Sequence, residues 1–354
     1  MSALTGISIE PFRGDLEGLE RMAHSSWRDE YGISSFPNLY RPAFLRYLFG
    51  RLKEKDHLIA AYRGEEIVSF LANVPHTFHF RSKVCRGILS CLLVTKKEWL
   101  RQGLALTTIN EGLRLNQKYK YDFSLATFET GHRSTLMVKK LRAEGQRLEW
   151  MKRLHVVARI LDLPRVAASE GIKLWERAAI KIVGGSRRPG KGGEGAVREY
   201  RPEDLDDCLS LFNSYQEKVE LARVWDQDEL SWELAYPDVS QSLVYEKDGR
   251  VKGLINFIYH DHLGKTREKW AWINHVAYFN LTERERISFI NAFLRYLKEK
   301  DCIGVIEWTK KYYPQRPFYR AHFFPYFRAV NMYSWTFNRE ISLKNVKQAN
   351  EILV

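Results

Sequence analysis

The chain has 354 residues, of which 45% are apolar, 28% are charged and 13% are aromatic. This length suits two globular domains, and the composition excludes general disorder. With 56 Lys and Arg against 43 Asp and Glu, the net charge of +13 favours acidic partners such as phosphorylated cofactors, an acidic carrier protein, anionic lipid or nucleic acid. The net charge alone does not show which of these partners the protein binds.

The cysteines and the start of the chain set further limits. Cys85, Cys91, Cys208 and Cys302 form no CxxC pair, which indicates reduced thiols and no structural zinc. The chain shows no signal-peptide pattern and no run near the ~18 apolar residues that a membrane-spanning helix needs. We therefore expect a cytoplasmic protein, and leave peripheral contact with a membrane surface open.

A glycine-rich basic segment, residues 184–195, predicts a flexible linker between two domains. On either side of it the pattern repeats, since EPFRGDLE from Glu10 is echoed by EYRPEDLD from Glu199. We expect two copies of one fold. Their predicted bounds are 1–162 for the first domain, 163–196 for a linker helix and linker, 197–340 for the second domain and 341–354 for a tail.

Strands and helices alternate in both halves, in the order expected for an α/β (α+β) fold. Each domain is predicted to be a mixed, mainly antiparallel sheet flanked by helices. The first half gives a strand at Ile88–Val94, a helix at Gly103–Gln117, a strand at Asp122–Thr127 and a helix from Arg133. The second gives a strand at Trp270–Phe279, a helix at Thr282–Lys300 and a strand at Ile303–Trp308.

Between the halves, the stretch from Leu163 to Val183 reads as one amphipathic helix. Its apolar side carries Trp175, Ala178, Ala179 and Ile182, with Lys173, Arg177 and Lys181 interspersed. The pattern favours a helix that packs across the two domains, because amphipathic helices mostly bury their apolar face. An interfacial membrane helix is the alternative.

The most informative stretch begins at Ile88 and reads ILSCLLVTKKEWLRQGLALT. An apolar strand runs into a basic turn and then directly into a helix. The first amides of a helix are unpaired and carry partial positive charge, so this start suits a pyrophosphate. Small residues at Gly103 and Ala105 let a phosphate approach the backbone, while Lys96 and Arg101 add positive charge.

The segment from Leu100 to Ala105 resembles the motif Q/R-x-x-G-x-G/A of the GCN5-related N-acetyltransferase (GNAT) superfamily. Leu100 stands where the motif has Gln or Arg, with Arg101 as a substitute one residue later. Within that superfamily, the segments from Leu92 to Lys97 and from Leu209 to Trp225 are similar to parts of protein N-myristoyltransferases, which are fused pairs of such domains. The resemblance implies an acyltransferase with this twin architecture.

The resemblance also implies a donor and a class of acceptor. An acyl group, with a long chain among the options, would move from acyl-CoA or an acyl-carrier protein to an amine on a small molecule, lipid or peptide. The coenzyme A would contact nine residues: Leu93, Val94, Lys96, Arg101, Gln102, Gly103, Leu104, Ala105 and Leu106. The backbone amides of Cys91 and Leu92 would stabilise the oxyanion.

Two polar residues near the end of the next strand, Glu129 and His132, are candidates for taking the proton of the amine. Both can instead cap the following helix. Val138 stands where many family members have a tyrosine acid, and the chain continues beyond Asn338, so neither the tyrosine nor a terminal carboxylate carries over. No metal is expected, because His260 and His262 alternate in a hairpin and are predicted to face solvent.

The second half lacks a glycine-rich turn, since Asn280 leads directly into a helix with an acidic start. Acidic side chains there would repel a pyrophosphate. We expect this half to bind no coenzyme A and to shape an acceptor or acyl pocket, helped by the aromatic residues between Phe318 and Phe327.

Two other functions stay open at this point. One is a tRNA-dependent aminoacyltransferase, and the other is a non-catalytic module that binds acyl groups or nucleic acid on a GNAT fold. The sequence shows no basic motif with stacked aromatics, which weighs against nucleic acid.

Overall fold

The structure is a computed structural model that describes residues 4–31, 35–131, 134–193 and 196–350. Fifteen strands lie in these ranges: β1 Ile7–Pro11, β2 Phe36–Pro37, β3 Leu58–Arg63, β4 Glu66–Phe80, β5 Lys83–Thr95, β6 Phe123–Glu129, β7 Leu148–Ile160, β8 Val197–Glu199, β9 Leu221–Arg223, β10 Ser240–Lys247, β11 Arg250–Leu263, β12 Arg267–Tyr278, β13 Gly304–Trp308, β14 Phe324–Thr336 and β15 Ala349–Asn350.

Ten α-helices lie in the same described ranges. They are α1 Leu16–Tyr31, α2 Pro42–Phe49, α3 Leu104–Lys118, α4 Ser134–Ala143, α5 Leu163–Glu170, α6 Leu174–Ile182, α7 Leu205–Gln216, α8 Gln227–Leu234, α9 Glu283–Glu299 and α10 Arg316–Arg320. The predicted helices that became α3 and α9 agree with these bounds to within one residue at each end. Thr282 caps α9 in a reciprocal hydrogen-bonded pair with Glu285, a local signal that explains why its start was predictable.

The described strands form one continuous sheet with the order β1-β3-β4-β5-β6-β14-β7-β13-β12-β11-β10-β8. Most neighbours along it are antiparallel. Each half contributes one parallel pair to this order, β5 with β6 and β12 with β13. The mixed, mainly antiparallel sheet is as predicted, and the two parallel pairs occupy equivalent places in the repeat.

The two halves share strands across their junction. Strand β14, from late in the chain, lies between β6 and β7 and pairs antiparallel with both. Strand β7 in turn pairs with β13 of the second half. The division into domains at 1–162 and 197–340 stays a prediction, but the sheets of these two segments are interleaved.

Apolar side chains fill both sides of the sheet. One large core lies under α7 and α9 and contains Phe212, Phe257 and Phe293, all buried. Another lies under α1 and α2 and contains Phe70. Helix α3 packs over β3, β4 and β5, which fixes its start near the end of β5.

The single helix predicted from Leu163 to Val183 is wrong. The structure has two helices, because Gly171 takes a left-handed conformation at φ +67° and ends α5. The predicted packing of the apolar side is also wrong, since Trp175 is 65% exposed and Ile182 is 81% exposed. Instead Ile180, on another side of α6, packs into the small core around Val156 and Val166.

The expectation of a flexible linker is wrong for residues 184–193. Gly184 and Gly185 are buried, and the Ile160 amide donates to the Gly185 carbonyl at 3.0 Å. Further along, the Arg295 guanidinium donates to two carbonyls of the segment, those of Gly190 and Gly192. The segment is therefore fixed against β7 and α9. Within the described ranges, no helix combines the length and apolarity required to cross a bilayer.

Removing the side chain of Arg159 should destabilise the junction of the halves. This buried guanidinium on β7 donates to the carbonyls of Ile160 and Ala321 at 3.0 Å each, and to those of Gly185 and Arg187. Arg159→Met removes the guanidinium donor from all four carbonyls, so we expect a loss of ~1–3 kcal/mol in the free energy of unfolding.

Chemical denaturation measures this loss. The matched control is Arg153→Met, at an exposed position of the same strand, which should stay within about 0.5 kcal/mol of the wild type. Equal stability of the two variants would contradict the role assigned to Arg159.

Candidate active site

The two parallel strands of the first half separate near the predicted motif. Gly87 of β5 pairs with Phe123 of β6, and the pairing continues as far as Ser90 with Ala126. Both strands are described in full, and they do not pair with each other beyond this point. Strand β6 stays paired with β14 along its whole length, and β5 stays paired with β4. A wedge therefore opens in the sheet beyond Ser90.

A bulge in β5 lies at the edge of this wedge. The pairing with β4 passes from Val94 with Phe70 to Cys91 with Ala72, so Leu92 and Leu93 together oppose Leu71. Leu92 has φ +55°, a left-handed conformation that is uncommon for leucine. Bulges re-aim backbone groups and are frequent beside active sites. The bulge takes the backbone of Leu92 and Leu93 out of the one-to-one pairing with β4.

A cavity of about 850 Å³, including its open mouth, fills the wedge. Its lining is mostly apolar and comes from both strands, α3 and the N-terminal region: Trp27, Leu39, Tyr40, Leu71, Asn73, Ser90, Cys91, Leu92, Leu93, Ile109, Gly112, Leu113, Ala126, Thr127, Phe128 and Trp335. We call it the wedge cavity. At Gly112, a Cβ would come within 2.9 Å of Leu71 and 3.0 Å of Asn73, so glycine allows α3 its close approach.

A buried polar network supports the strands at the point where they part. The Ser90 hydroxyl donates to Asn73 Oδ1 and lies 2.7 Å from the Ser124 hydroxyl. The Asn73 amide donates to Asn116 Oδ1 of α3 at 3.2 Å. These bonds connect β4, β5, β6 and α3, so they fix the position of Ser90, two residues before the bulge begins.

The predicted diphosphate turn follows β5 directly. Arg101 and Gly103 take left-handed conformations, at φ +65° and +87°, and α3 begins at Leu104. A Cβ built on Gly103 meets nothing within 4 Å, so this backbone is open to a ligand. Leu104 is buried and fixes the start of the helix, while Ala105 and Leu106 are half-buried.

Two of the predicted contacts engage other groups of the protein. The Lys96 ammonium lies 2.5 Å from the Glu66 carboxylate, a hydrogen bond that raises the pKa of Lys96. The Gln102 amide donates to the Glu98 carbonyl at 2.7 Å. Arg101 is exposed beside the open backbone of Gly103. The set of residues that binds coenzyme A stays a prediction.

A second cavity, of about 1040 Å³, adjoins the first and shares Trp27, Leu39 and Thr127 with it. We call it the junction cavity because both halves line it, and its remaining residues are Pro37, Glu129, Val156, Glu170, His262, Trp270, Trp272, Ile306, Trp308, Tyr326, Arg328 and Val330. Four tryptophan rings and one tyrosine ring belong to this lining.

Two carboxylates reach the junction cavity. Glu129 is the last residue of β6, and its carboxylate lies 3.9 Å from the Arg328 guanidinium. Glu170 ends α5 and accepts a hydrogen bond of 2.8 Å from the Tyr326 hydroxyl. Burial raises the pKa of Glu170 above its usual value. Of the two proton acceptors predicted from sequence, Glu129 lines this cavity, and His132 lies outside the described residues.

The prediction that His260 and His262 face solvent is wrong. Both are buried, because β11 pairs with β12 on one side and is covered by aromatic residues. His262 stacks on the Trp270 ring, and its Nε2 accepts a hydrogen bond of 3.1 Å from the Trp272 indole. Burial lowers the pKa of His262 well below 6.5, so its ring is neutral with the proton on Nδ1.

The second half has a corresponding bulge and cavity. In the pairing of β11 with β12, Asn274 is the extra residue between Ile273 and His275. The cavity beside it, of about 900 Å³, shares Trp272 and Trp308 with the junction cavity. We call it the second-half cavity.

Charged side chains line part of the second-half cavity. The buried Glu233 carboxylate accepts hydrogen bonds from Asn274 at 2.6 Å and from His275 at 3.2 Å, and lies 3.5 Å from Arg223. The buried Lys310 ammonium donates to the Asn274 carbonyl. Sequence reasoning missed Glu170 and this network, because their members are far apart in the chain and show no motif spacing.

The fold defined by these features is of the GNAT type in a twinned form. No protein-family model matches the sequence. The structure of GCN5-related N-acetyltransferase from Kribbella flavida is similar with a TM-score of 0.53 and 11% identity, covering 94% of this chain and 71% of that chain.

The similarity to N-myristoyltransferase is much greater. The structure of Saccharomyces cerevisiae N-myristoyltransferase with bound myristoyl-CoA superposes with a TM-score of 0.79 and 16% identity, covering 100% of this chain and 86% of that chain. The predicted fold class and the resemblance to these proteins in layout are therefore confirmed.

A sequence relative agrees with the structural comparison. Glycylpeptide N-tetradecanoyltransferase from Candida glabrata is 24% identical over 259 residues, or 68% of this chain. The chain spans only about half of that relative, since the match covers 54% of its length.

The buried His275 should make the stability of the protein fall in acid. Burial lowers its pKa to about 4, against 6.5 in the unfolded chain. Between these pH values the unfolded state binds one more proton than the folded state. The stability that the neutral His275 contributes is therefore complete above pH ~6.5 and is lost as the pH falls to ~4. For His275→Gln, we expect the stability deficit relative to wild type to shrink by ~1–3 kcal/mol over this interval.

Denaturant titrations at several pH values test this expectation. The control is His155→Gln, which removes an imidazole at an exposed position of β7. A deficit for His275→Gln that is constant with pH would contradict the assignment.

Proposed function

We propose that this protein transfers an acyl group from acyl-CoA to a primary amine. The observation that carries the proposal is the adjacency of three elements: the left-handed backbone before α3, the bulge at Leu92, and the two connected cavities. The left-handed backbone suits the diphosphate of the donor, and the bulge suits the reacting thioester. The two cavities suit the acyl chain and the acceptor.

The donor diphosphate binds at the start of α3 in this proposal. The amides of residues 101–106 and the positive end of the helix supply the binding, as expected for a phosphate at a helix N-terminus. The open backbone at Gly103 supports this placement. Leu93 and Val94 then run beside the pantetheine arm, which an acyl-carrier protein would also present.

The acyl chain occupies the wedge cavity. Ile109, Leu113 and Phe128 make its walls apolar, so extending the chain gains about 0.8 kcal/mol for each buried CH₂. A medium to long chain fits this lining better than an acetyl group. The names of the yeast proteins, with tetradecanoyl or myristoyl groups, support the same choice.

The backbone amides of Cys91 and Leu92 stabilise the oxyanion that develops on the thioester carbonyl. The Cys91 thiol is not the nucleophile, because burial raises its pKa well above the usual range and it stays protonated. The amine therefore attacks the thioester directly, and the thiolate of coenzyme A leaves.

The amine enters through the junction cavity. Carboxylates at Glu129 and Glu170 and the faces of Trp27 and Trp308 attract an ammonium group. Before attack the ammonium must lose a proton, and Glu170 is suited to accept it because its raised pKa lies closer to neutral pH. The remainder of the acceptor extends toward the second-half cavity, which we propose binds no coenzyme A.

A screen of acyl-CoA chain lengths against amine acceptors, with product detection by mass spectrometry, tests the activity. We expect amide products and thermal stabilisation by acyl-CoA, of about 2.7 kcal/mol when the ligand is at ~100 times its Kd. Salt-sensitive binding of tRNA without any binding of acyl-CoA would favour the tRNA-dependent alternative.

Gly103→Glu should abolish binding of acyl-CoA. The variant places a carboxylate at the proposed diphosphate site and a side chain on a left-handed backbone. The control is Gly249→Glu, at another open glycine with φ +70° in the β10–β11 turn. Thermal shift should show stabilisation by acyl-CoA for the control and none for Gly103→Glu. If acyl-CoA still stabilises Gly103→Glu, the proposed position of the diphosphate site is wrong.

Glu170→Gln should lower turnover by about 10²-fold or more and remove the acidic limb of its pH profile, while acyl-CoA binding persists. In this mechanism activity rises as Glu170 loses its proton, so the limb that depends on Glu170 lies on the acidic side of the profile. Tyr326→Phe removes a hydrogen bond that lowers the pKa of Glu170, so this variant should shift the limb to higher pH.

Profiles of kcat against pH measure both effects, with the exposed Glu217→Gln as control. Loss of the limb in Glu129→Gln, but not in Glu170→Gln, would assign the proton transfer to Glu129 instead.

A further inference from the structure

The apolar side of α6 faces solvent, although it has the composition of a buried surface. We call this surface the α6 face, and its members are Leu174, Trp175, Ala178, Ala179, Ile182 and Val183, all of them exposed. The helix is held to the protein by Ile180 and by the preceding Ile172, which pack into the core below. A contiguous apolar stripe in water is unfavourable and usually marks a surface that another phase or molecule covers.

Positive charge surrounds the α6 face. Residues 171–193 contain six basic residues and one acidic residue, Glu176. The carboxylate of Glu176 accepts a hydrogen bond of 2.7 Å from the Lys173 amide at the helix start, where the dipole also favours it. The basic residues therefore dominate the field around the stripe.

A basic cleft of about 930 Å³ adjoins the α6 face. Arg177, Lys181, Arg188 and Lys298 line it, together with one acidic residue, Asp162. Asp162 caps α5, since its carboxylate accepts a hydrogen bond from the Arg165 amide at 3.1 Å. The cleft has the charge and the donors that bind a phosphate group.

We infer that the α6 face docks on the surface of an anionic phospholipid bilayer. The apolar stripe enters the interfacial region, and the basic cleft at its side binds a headgroup phosphate. Tryptophan and aliphatic residues on one side of a helix and cations on the other form the arrangement of interfacial helices. At nine residues, or about 13 Å, α6 lies in the plane of the surface.

Docking here would hold the junction cavity beside the membrane. Glu170, which lines that cavity, is the last residue of α5, and only three residues separate it from Leu174. An apolar acyl product or a lipid acceptor would then exchange with the bilayer. The docking itself does not depend on acyl transfer, because it is measured on the protein alone.

Vesicle flotation of the full chain without coenzyme A tests the inference. We expect binding to phosphatidylcholine vesicles that contain phosphatidylglycerol, and little binding to phosphatidylcholine alone. Raising the salt from about 0.1 M to about 1 M should weaken binding, as the screening length falls from ~10 to ~3 Å. Ile182→Glu should raise the lipid concentration needed for half-binding about tenfold or more.

The matched control is Leu136→Glu, since Leu136 on α4 is 56% exposed and also lies on a helix. It should bind vesicles as the wild type does. Lys181→Glu combined with Arg188→Glu is the second variant, which should lose the preference for anionic vesicles even if Ile182→Glu fails to fold.

The inference would be overturned by no vesicle binding by the wild type, by unchanged binding by folded Ile182→Glu, or by equal binding to both kinds of vesicle. A wild-type dimer that Ile182→Glu converts to a monomer would likewise overturn it, by assigning the α6 face to a second copy of the chain.

Discussion

The pairing of β14 with both β6 and β7 is the constraint on which the candidate site depends. Beyond Ser90 strand β6 no longer pairs with β5, so it is held in the sheet only through its other edge, which needs a partner of its own. Strand β14 supplies that partner from Phe123 to Glu129. The wedge therefore persists because β14 holds the wall that carries Glu129 from its other edge.

The two halves have the same strand geometry, but different residues surround the bulge in each half. Each has a parallel strand pair and a bulge, at Leu92 in the first half and at Asn274 in the second. The first bulge faces an apolar cavity and is followed by an open helix start. The second lies in a hydrogen-bonded network, in which Asn274 contacts the charged side chains of Glu233 and Lys310. The repeat thus places an open helix start beside one bulge and a charged network beside the other.

Local signals explain what the sequence could predict. The turn before α3 and the helices α3 and α9 follow from periodicity, from Gly103 and from the Thr282 cap, all of which act within a few residues. The exchange of β14, the burial of His262 and the approach of Glu170 to Glu129 depend on contacts between residues far apart in the chain. The predicted orientation of α6 is wrong for a related reason, because a left-handed turn at Gly171 redirects the chain and leaves the apolar side of the helix uncovered.

The position of β14 near the end of the chain has a consequence for synthesis on the ribosome. The wedge needs β14, so this wall can be added only when the chain has been translated as far as Thr336, more than 200 residues after β6 begins to emerge. Until then β6 exposes an unpaired edge to the cell, a state that invites wrong pairing. A protein made this way completes the wedge only after β14 has been translated, and a product that ends before Phe324 lacks that strand.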